Sequence, residues 1–238
     1  MKVSANSGRR TLLRILLLFT VSLLTASLFF QDYSFASKSS FVPSGSYKQP
    51  DAEKKKIKKD GVLILMGASR VKEMGQHVRA AGMKTAKDKD GIIWNTVYIA
   101  KSGESYSWLS KKAYPKLKAQ LKKYPCSKVV LQFGNNDLNK TSSGNIQKYI
   151  SFYKKLMKLY PKATFYFMDI LPSKNSPSMN ARRRTFNSKL AKAFPNNYIG
   201  GYNYLVKSGF KTSYNPTHYN AATSKKIFRY ILKKTGLS

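Results

Sequence analysis

Four short segments of this chain carry residue types that could do chemistry together. Ser69 stands in Gly67-Ala68-Ser69-Arg70, a small, sharp turn between an apolar run and a helical pattern. A serine there is either a helix N-cap, with Oγ accepting a helix N–H, or a nucleophile. Gly103, in Lys101-Ser102-Gly103-Glu104, is either an ordinary loop glycine or one that lets a backbone N–H approach a ligand closely. Gly134-Asn135-Asn136-Asp137 taken alone is a polar turn with Asn and Asp in capping roles. Asn215-Pro216-Thr217-His218 precedes the last helical pattern, and His77 and His218 are the two histidines of the chain. His77 falls inside a helical pattern, where a solvated surface histidine is the expectation, so His218 is the candidate base. A hydroxyl nucleophile with an imidazole to take its proton is the minimal equipment for acyl transfer. The one cysteine, Cys126, leaves no intramolecular disulfide, and with two histidines it gives too few soft ligands for a structural zinc site.

Those segments are far apart in sequence, so a scaffold must gather them. Val62 to Met66, Ile92 to Ala100, Lys128 to Phe133 and Ala163 to Ile170 read as apolar strands, with Asn197 to Tyr202 a weaker fifth. Helical periodicity lies between and after them, over Val71 to Ala81, Ser105 to Lys123, Asn145 to Tyr160, Ser178 to Phe194 and Ala221 to Lys234. Alternation of strand and helix implies right-handed crossovers and a parallel sheet covered on both faces. The expected fold class is α/β, a three-layer α/β/α domain with a five-stranded parallel sheet. In open sheets of this kind ligands bind beyond the carboxyl ends of the strands, and Ser69, Gly103 and Asn136 all follow strand ends.

The order of these segments resembles the SGNH or GDSL hydrolases, whose blocks carry Ser, Gly, Asn and His in sequence. The matching positions are Ser69 in GAS, Gly103 in KSGES, Asn136 in GNND and His218 in NPTHYN, over about Val62 to Leu232. The chain is especially similar to exported Gram-positive members with a GDSR first block. The resemblance implies a flavodoxin-like fold and serine esterase or acyltransferase chemistry without metal or cofactor. Ser69 would be the nucleophile and His218 its base. The backbone N–H groups of Ser69 and Gly103 with the Asn136 amide would form the oxyanion hole. Two positions depart from the family pattern. Ala68 replaces the Asp of the first block, and Asn215 stands where the family has the acid that orients the histidine. An amide can orient an imidazole but supplies no charge to its protonated form. Residues 170 to 238 contain no Asp or Glu. The remaining acids of the domain are Glu73, Asp88, Asp90, Glu104, Asp137 and Asp169; Asp137 matches a block residue and Asp169 ends a strand, so both could approach the site, but neither sits where the family's acid does.

The chain has 238 residues, 44 Lys plus Arg and 10 Asp plus Glu, a net charge of +34, with 42% hydrophobic residues. So many apolar and aromatic side chains exclude a disordered polybasic chain. Lys2, Arg9, Arg10 and Arg14 precede an uncharged run from Ile15 to Phe30, and Ser34-Phe35-Ala36 offers small residues at a cleavage site. Residues 1–36 are therefore expected to be an export signal, cleaved or retained as a membrane anchor, which places the rest outside the cell. Residues 37–60, rich in Ser, Pro, Gly and Lys, read as a basic flexible linker, and 61–238 as the hydrolase-like domain with a charge of +27 (33 basic less 6 acidic residues). The partners expected are an acylated carbohydrate or lipid substrate and an anionic cell-envelope polymer or membrane surface. Nucleic acid would also suit the charge but conflicts with export. Two readings stay open, an exported esterase or acyltransferase and a catalytically weak module that binds envelope polyanions. Trp94, Tyr106 and Trp108 would serve either as sugar-stacking residues or as core.

Overall fold

Continuous apolar runs bounded by turn residues become the inner strands. The computed structural model describes residues 41–43, 61–83, 85–88, 93–140 and 145–238. The expected export segment 1–36 lies outside the described residues, as does the expected linker apart from residues 41–43. Seven strands are described: β1 (Phe41–Pro43), β2 (Leu63–Gly67), β3 (Thr85–Lys87), β4 (Ile93–Ala100), β5 (Lys128–Gln132), β6 (Thr164–Met168) and β7 (Tyr198–Ile199). Five of them are parallel neighbours in the order β4-β2-β5-β6-β7, and β1 and β3 each pair antiparallel with β4. In chain order the parallel strands run 2-1-3-4-5, the flavodoxin-like arrangement. The expected five-stranded parallel sheet is thus present, with two three-residue antiparallel strands added to it. One of these additions falls in the segment read as linker.

The helices are α1 (Ser69–Ala80), α2 (Tyr106–Trp108), α3 (Tyr114–Lys123), α4 (Asn135–Leu138), α5 (Ile146–Leu159), α6 (Pro177–Ala193), α7 (Gly201–Ser208) and α8 (Ala221–Thr235). A π-helical turn, Leu109–Ala113, joins α2 to α3. Buried Leu109, Ala113, Leu117 and Leu121 recur every four residues, which drifts off one face of a 3.6-residue helix, and the wider turn absorbs the drift. The two faces of the sheet carry separate cores. Val71, Met74 and Val78 of α1 join Ile227, Phe228 and Ile231 of α8 over Leu63, Leu65 and Val130. On the other face α3, α5 and α6 bury Leu117, Tyr149, Tyr153, Phe186 and Leu190 over Ile64, Met66, Leu131 and Phe167. Alternate residues of β2 therefore serve opposite layers, as period-2 side chains must.

The weak fifth strand is shorter than expected, because the chain turns into α7 at Gly201. The Asp169 carboxylate accepts the Tyr202 backbone N–H at 3.0 Å and the Tyr198 hydroxyl at 2.9 Å. It thereby satisfies one of the free donors at the start of α7. Asp169 is buried, and burial pushes its carboxyl up to about 7 against those hydrogen bonds. Trp94 and Trp108 are buried core residues, and Tyr106 packs edge-on against Tyr149 and Phe152, so the sugar-stacking reading is set aside for the two tryptophans. Among the described residues no helix is long and apolar enough to cross a membrane.

Candidate active site

Ser69 is the first residue of α1, immediately beyond the carboxyl end of β2. The N-cap is Ala68, and no side chain caps the helix, so Ser69 is not the capping serine that its position also suggested. Its backbone N–H is among those a helix start leaves without an internal acceptor, and the helix dipole places positive potential at its hydroxyl. Ser69 lines a small cleft together with Gln132, Phe133, Asn135, Asn136 and Ile170.

Asn136 reaches that cleft because the chain turns sharply at Gly134. That glycine has φ +109°, and a Cβ on it would stand 2.6 Å from Phe186 Cζ, so conformation and space both demand glycine. Asn136 Nδ2 donates to the Glu104 carbonyl at 2.7 Å. One amide hydrogen thus ties the glycine loop to the cleft and the other remains for a ligand. Gly103 sits at the exposed tip of that loop with φ +77° and open space around it. It is not among the residues lining the cleft. Asp137, next to Asn136, is buried and accepts from the Tyr149 hydroxyl at 2.6 Å and the Tyr106 N–H at 3.2 Å.

His218 arrives from the loop before α8. Asn215 Oδ1 accepts the backbone N–H of Thr217 at 2.9 Å, that of His218 at 3.0 Å, and His218 Nδ1 at 3.0 Å. Because this oxygen only accepts, Nδ1 carries the hydrogen and Nε2 is left as the basic nitrogen. Nε2 stands 3.6 Å from Glu73 Oε1, and the Tyr214 ring stacks on the imidazole with centroids 5.0 Å apart. Burial lowers the His218 pKa, Glu73 raises it, and Arg70 lowers it further. Ser69 and Glu73 are four residues apart on α1 and so share a helix face. Among the described residues no hydrogen bond joins Ser69 Oγ to His218 Nε2, and such bonds are commonly loose before substrate binds.

Arg70 fastens this loop to the rest of the site. Its buried guanidinium donates to Thr217 O at 2.9 Å, Leu171 O at 2.6 Å, Pro172 O at 3.2 Å and Ser173 Oγ at 3.0 Å. A second buried arginine, Arg183, holds Asn135 Oδ1 through Nε and Nη2 at 3.1 and 3.0 Å. Neither arginine was singled out from the sequence. Every acceptor of Arg70 lies more than 100 residues away, and Arg183, which also donates to the nearby Asn180 Oδ1 at 2.7 Å, reaches 48 residues back to Asn135, so no local pattern signals their burial.

The acid that faces the candidate base is neither Asp137 nor Asp169. Asp137 and Asp169 are engaged by tyrosines and a helix start, whereas Glu73 faces His218. Its spacing from Ser69, one helical turn on, is the signal that could have found it. His77 differs from expectation. It is half-buried, with Nδ1 at 2.9 Å from Ser224 Oγ, and so tethers α1 to α8 away from the cleft. Among the described residues no group of three or more His, Cys, Asp or Glu could hold a metal ion.

No protein-family model and no curated protein matches the sequence. Solved structures do match. A mutant of an acetyl-xylooligosaccharide esterase from Geobacillus superposes with a TM-score of 0.55 at 12% identity, over 75% of this chain and 96% of the other. A lipase/acylhydrolase from Enterococcus faecalis gives 0.53 at 12%, over 74% and 97%. A protein described as a GDSL-like lipase from Parabacteroides merdae gives 0.53 at 12%, over 75% and 97%. The fold is that of the SGNH/GDSL hydrolases. Within this SGNH fold the first and third sequence blocks lie just beyond the carboxyl ends of the neighbouring central strands β2 and β5, and the last block lies in the loop before α8.

Proposed function

We propose that the chain is an exported serine esterase or acyltransferase that acts on acyl esters, acetyl foremost, of cell-envelope carbohydrate or lipid. The observation that carries this reading is the placement of Ser69 at an uncapped helix start in the same cleft as Asn136, with a neutral-tautomer His218 presenting Nε2 to that helix. Ser69 Oγ attacks the carbonyl as its proton passes to His218 Nε2, and the tetrahedral oxyanion is met by the Ser69 N–H and the free hydrogen of the Asn136 amide. Gly103 N–H joins them when its loop, already tied through Glu104, closes on substrate. His218 then returns the proton to the leaving alcohol. Water or a sugar hydroxyl resolves the acyl-enzyme. The solved structures of this fold described as an acetyl-xylooligosaccharide esterase and a lipase/acylhydrolase support an ester substrate.

An organophosphonate probe tests the assignment on the full chain. Mass spectrometry should locate one adduct on Ser69, absent from Ser69→Ala, and hydrolysis of a chromogenic acetyl ester should be lost in Ser69→Ala and His218→Ala alike, because members of one catalytic unit fail together. Labelling elsewhere, or turnover that survives Ser69→Ala, overturns it.

A second reading is favoured by the charge. Lys118, Lys122 and Lys123 on α3 and Lys154, Lys155 and Lys158 on α5 are exposed, and they suit an anionic envelope polymer or membrane surface as partner. Binding of this kind weakens steeply as salt shortens the Debye length to about 8 Å near physiological ionic strength. Salt-independent binding would refute it.

A further inference from the structure

We propose that Glu73, on helix α1, supplies to His218 the negative charge that Asn215 cannot. The inference rests on the Ser69–His218 reading above and adds to it a residue that acts through the base. Asn215 Oδ1 is saturated by two backbone N–H groups and the ring Nδ1, so it fixes the tautomer and the ring plane. It offers only a dipole to the imidazolium that forms when Ser69 Oγ gives its proton to Nε2. The carboxylate of Glu73 lies on the Nε2 side, at 3.6 Å, with both side chains only 17% exposed. That separation is too long for a hydrogen bond. The attraction is therefore Coulombic and leaves the Nε2 lone pair available to the serine one turn earlier on the same helix face. Orienting and charge stabilisation, which one acid usually performs through Nδ1, are here divided between Asn215 on one edge of the ring and Glu73 on the other.

The surroundings keep Glu73 in that place. The exposed Tyr214 donates its hydroxyl to Glu73 Oε1 at 2.7 Å while its ring stacks on His218. One tyrosine thus spans carboxylate and imidazole and limits the rotamers of both. The groups facing the ring are Glu73 and Arg70 from α1 with Tyr214 and Asn215 from its own loop. Arg70 opposes protonation and Glu73 favours it, so Glu73 is the single negative charge among them.

The test reads the base directly. His218 ring titration by NMR, on the full chain without substrate, should give a pKa about one unit lower in Glu73→Gln than in wild type, the change expected on losing an opposite charge at close range. The acid limb of the kcat/KM profile should move down in pH by the same amount, and kcat/KM at its plateau should fall about tenfold, the fold-change that corresponds to one unit. Asn215→Asp in the Glu73→Gln background should restore both, and should help that background more than it helps wild type, since the two carboxylates serve one ring. Tyr214→Phe keeps the charge and should leave the titration within a few tenths of a unit. A His218 pKa unmoved by Glu73→Gln overturns the proposal, as does a rise in turnover, which would make Glu73 a trap for the proton. The ring titration stands apart from turnover. A shifted pKa in a protein without esterase activity would sink the enzymatic reading alone, and an active, His218-dependent enzyme with an unmoved pKa would sink Glu73 alone.

Discussion

Replacing Arg70 by Met asks how strongly the candidate site is held together, since Met fills much of the same volume and removes every donor. Four acceptors are affected, in unequal ways. Pro172 O retains the Tyr219 hydroxyl, and Ser173 Oγ retains Thr217 Oγ1 at 3.4 Å. Leu171 O and Thr217 O lose the guanidinium that now serves them at 2.6 and 2.9 Å. Two stranded carbonyls at about 1–3 kcal/mol each would cost about 2–6 kcal/mol. The guanidinium also lies over the Tyr219 ring at 5.1 Å, and Met cannot replace that cation–π attraction. Part returns, because Arg70 is buried with no carboxylate among its hydrogen-bond partners and its desolvation is relieved. The expected net loss is about 2–4 kcal/mol, read as a lower urea midpoint at unchanged m-value. Arg70→Lys, which keeps the charge but reaches fewer acceptors, should fall between. Well below the Met variant's midpoint, kcat/KM should still drop more than tenfold, because the Thr217 tether that sets His218 is gone. A stability change within about 0.5 kcal/mol, as for an ordinary surface substitution, would refute the reasoning. A normal kcat/KM in a destabilised variant would refute the positioning part of it.

His77→Ala should lower stability by about 1 kcal/mol through loss of the Ser224 hydrogen bond while leaving ester hydrolysis unchanged, and equal activity losses at His77 and His218 would contradict the assignment of the base. Asn136→Ala should cut kcat by about 10²–10³-fold, as for one oxyanion donor, with the loop around Gly103 gaining faster amide exchange because the Glu104 tether is lost. Asp169 binds its proton more tightly folded, near pH 7, than unfolded, near pH 4. Stability should therefore fall as pH rises from about 4 to about 7, and Asp169→Asn should flatten that slope in denaturant titrations at several pH values. A wild-type profile already flat over that window would contradict the raised carboxyl.

What could be read from the sequence was set by how local its cause is. The VLILM and KVVLQF runs could be placed because strands buried on both faces need unbroken apolar sequence, and the strand-end position of Ser69 and Asn136 followed from that placement. The start of α7 could not, since Ile199-Gly200-Gly201-Tyr202 has the β-forming and glycine residues of a strand end and is drawn into a helix by a carboxylate that follows β6. The burial of Arg70 and Arg183 was equally hidden, because basic residues in a chain at +34 read as surface. Glu73 was hidden in a different way. The pattern of the family directs attention to the residue three before the histidine, whereas the side chain that faces the ring comes from a helix 145 positions earlier.

The two short strands beside β4 bear on how the domain is handled in solution. On its outer side β4 pairs with β3 through Ile93, Trp94 and Asn95 and with β1 through Val97, Tyr98 and Ile99. Between them, little of that margin is left to bond another chain. A recombinant protein begun at Gly61, where composition alone would cut, retains the first of these covers and discards the second. It would leave three apolar residues with unpaired backbone groups on the rim of the sheet, a template for stacking against a second copy. Starting upstream of Phe41 keeps the rim closed, so the shorter protein should be the more prone to self-associate although every residue of the cleft is present in both.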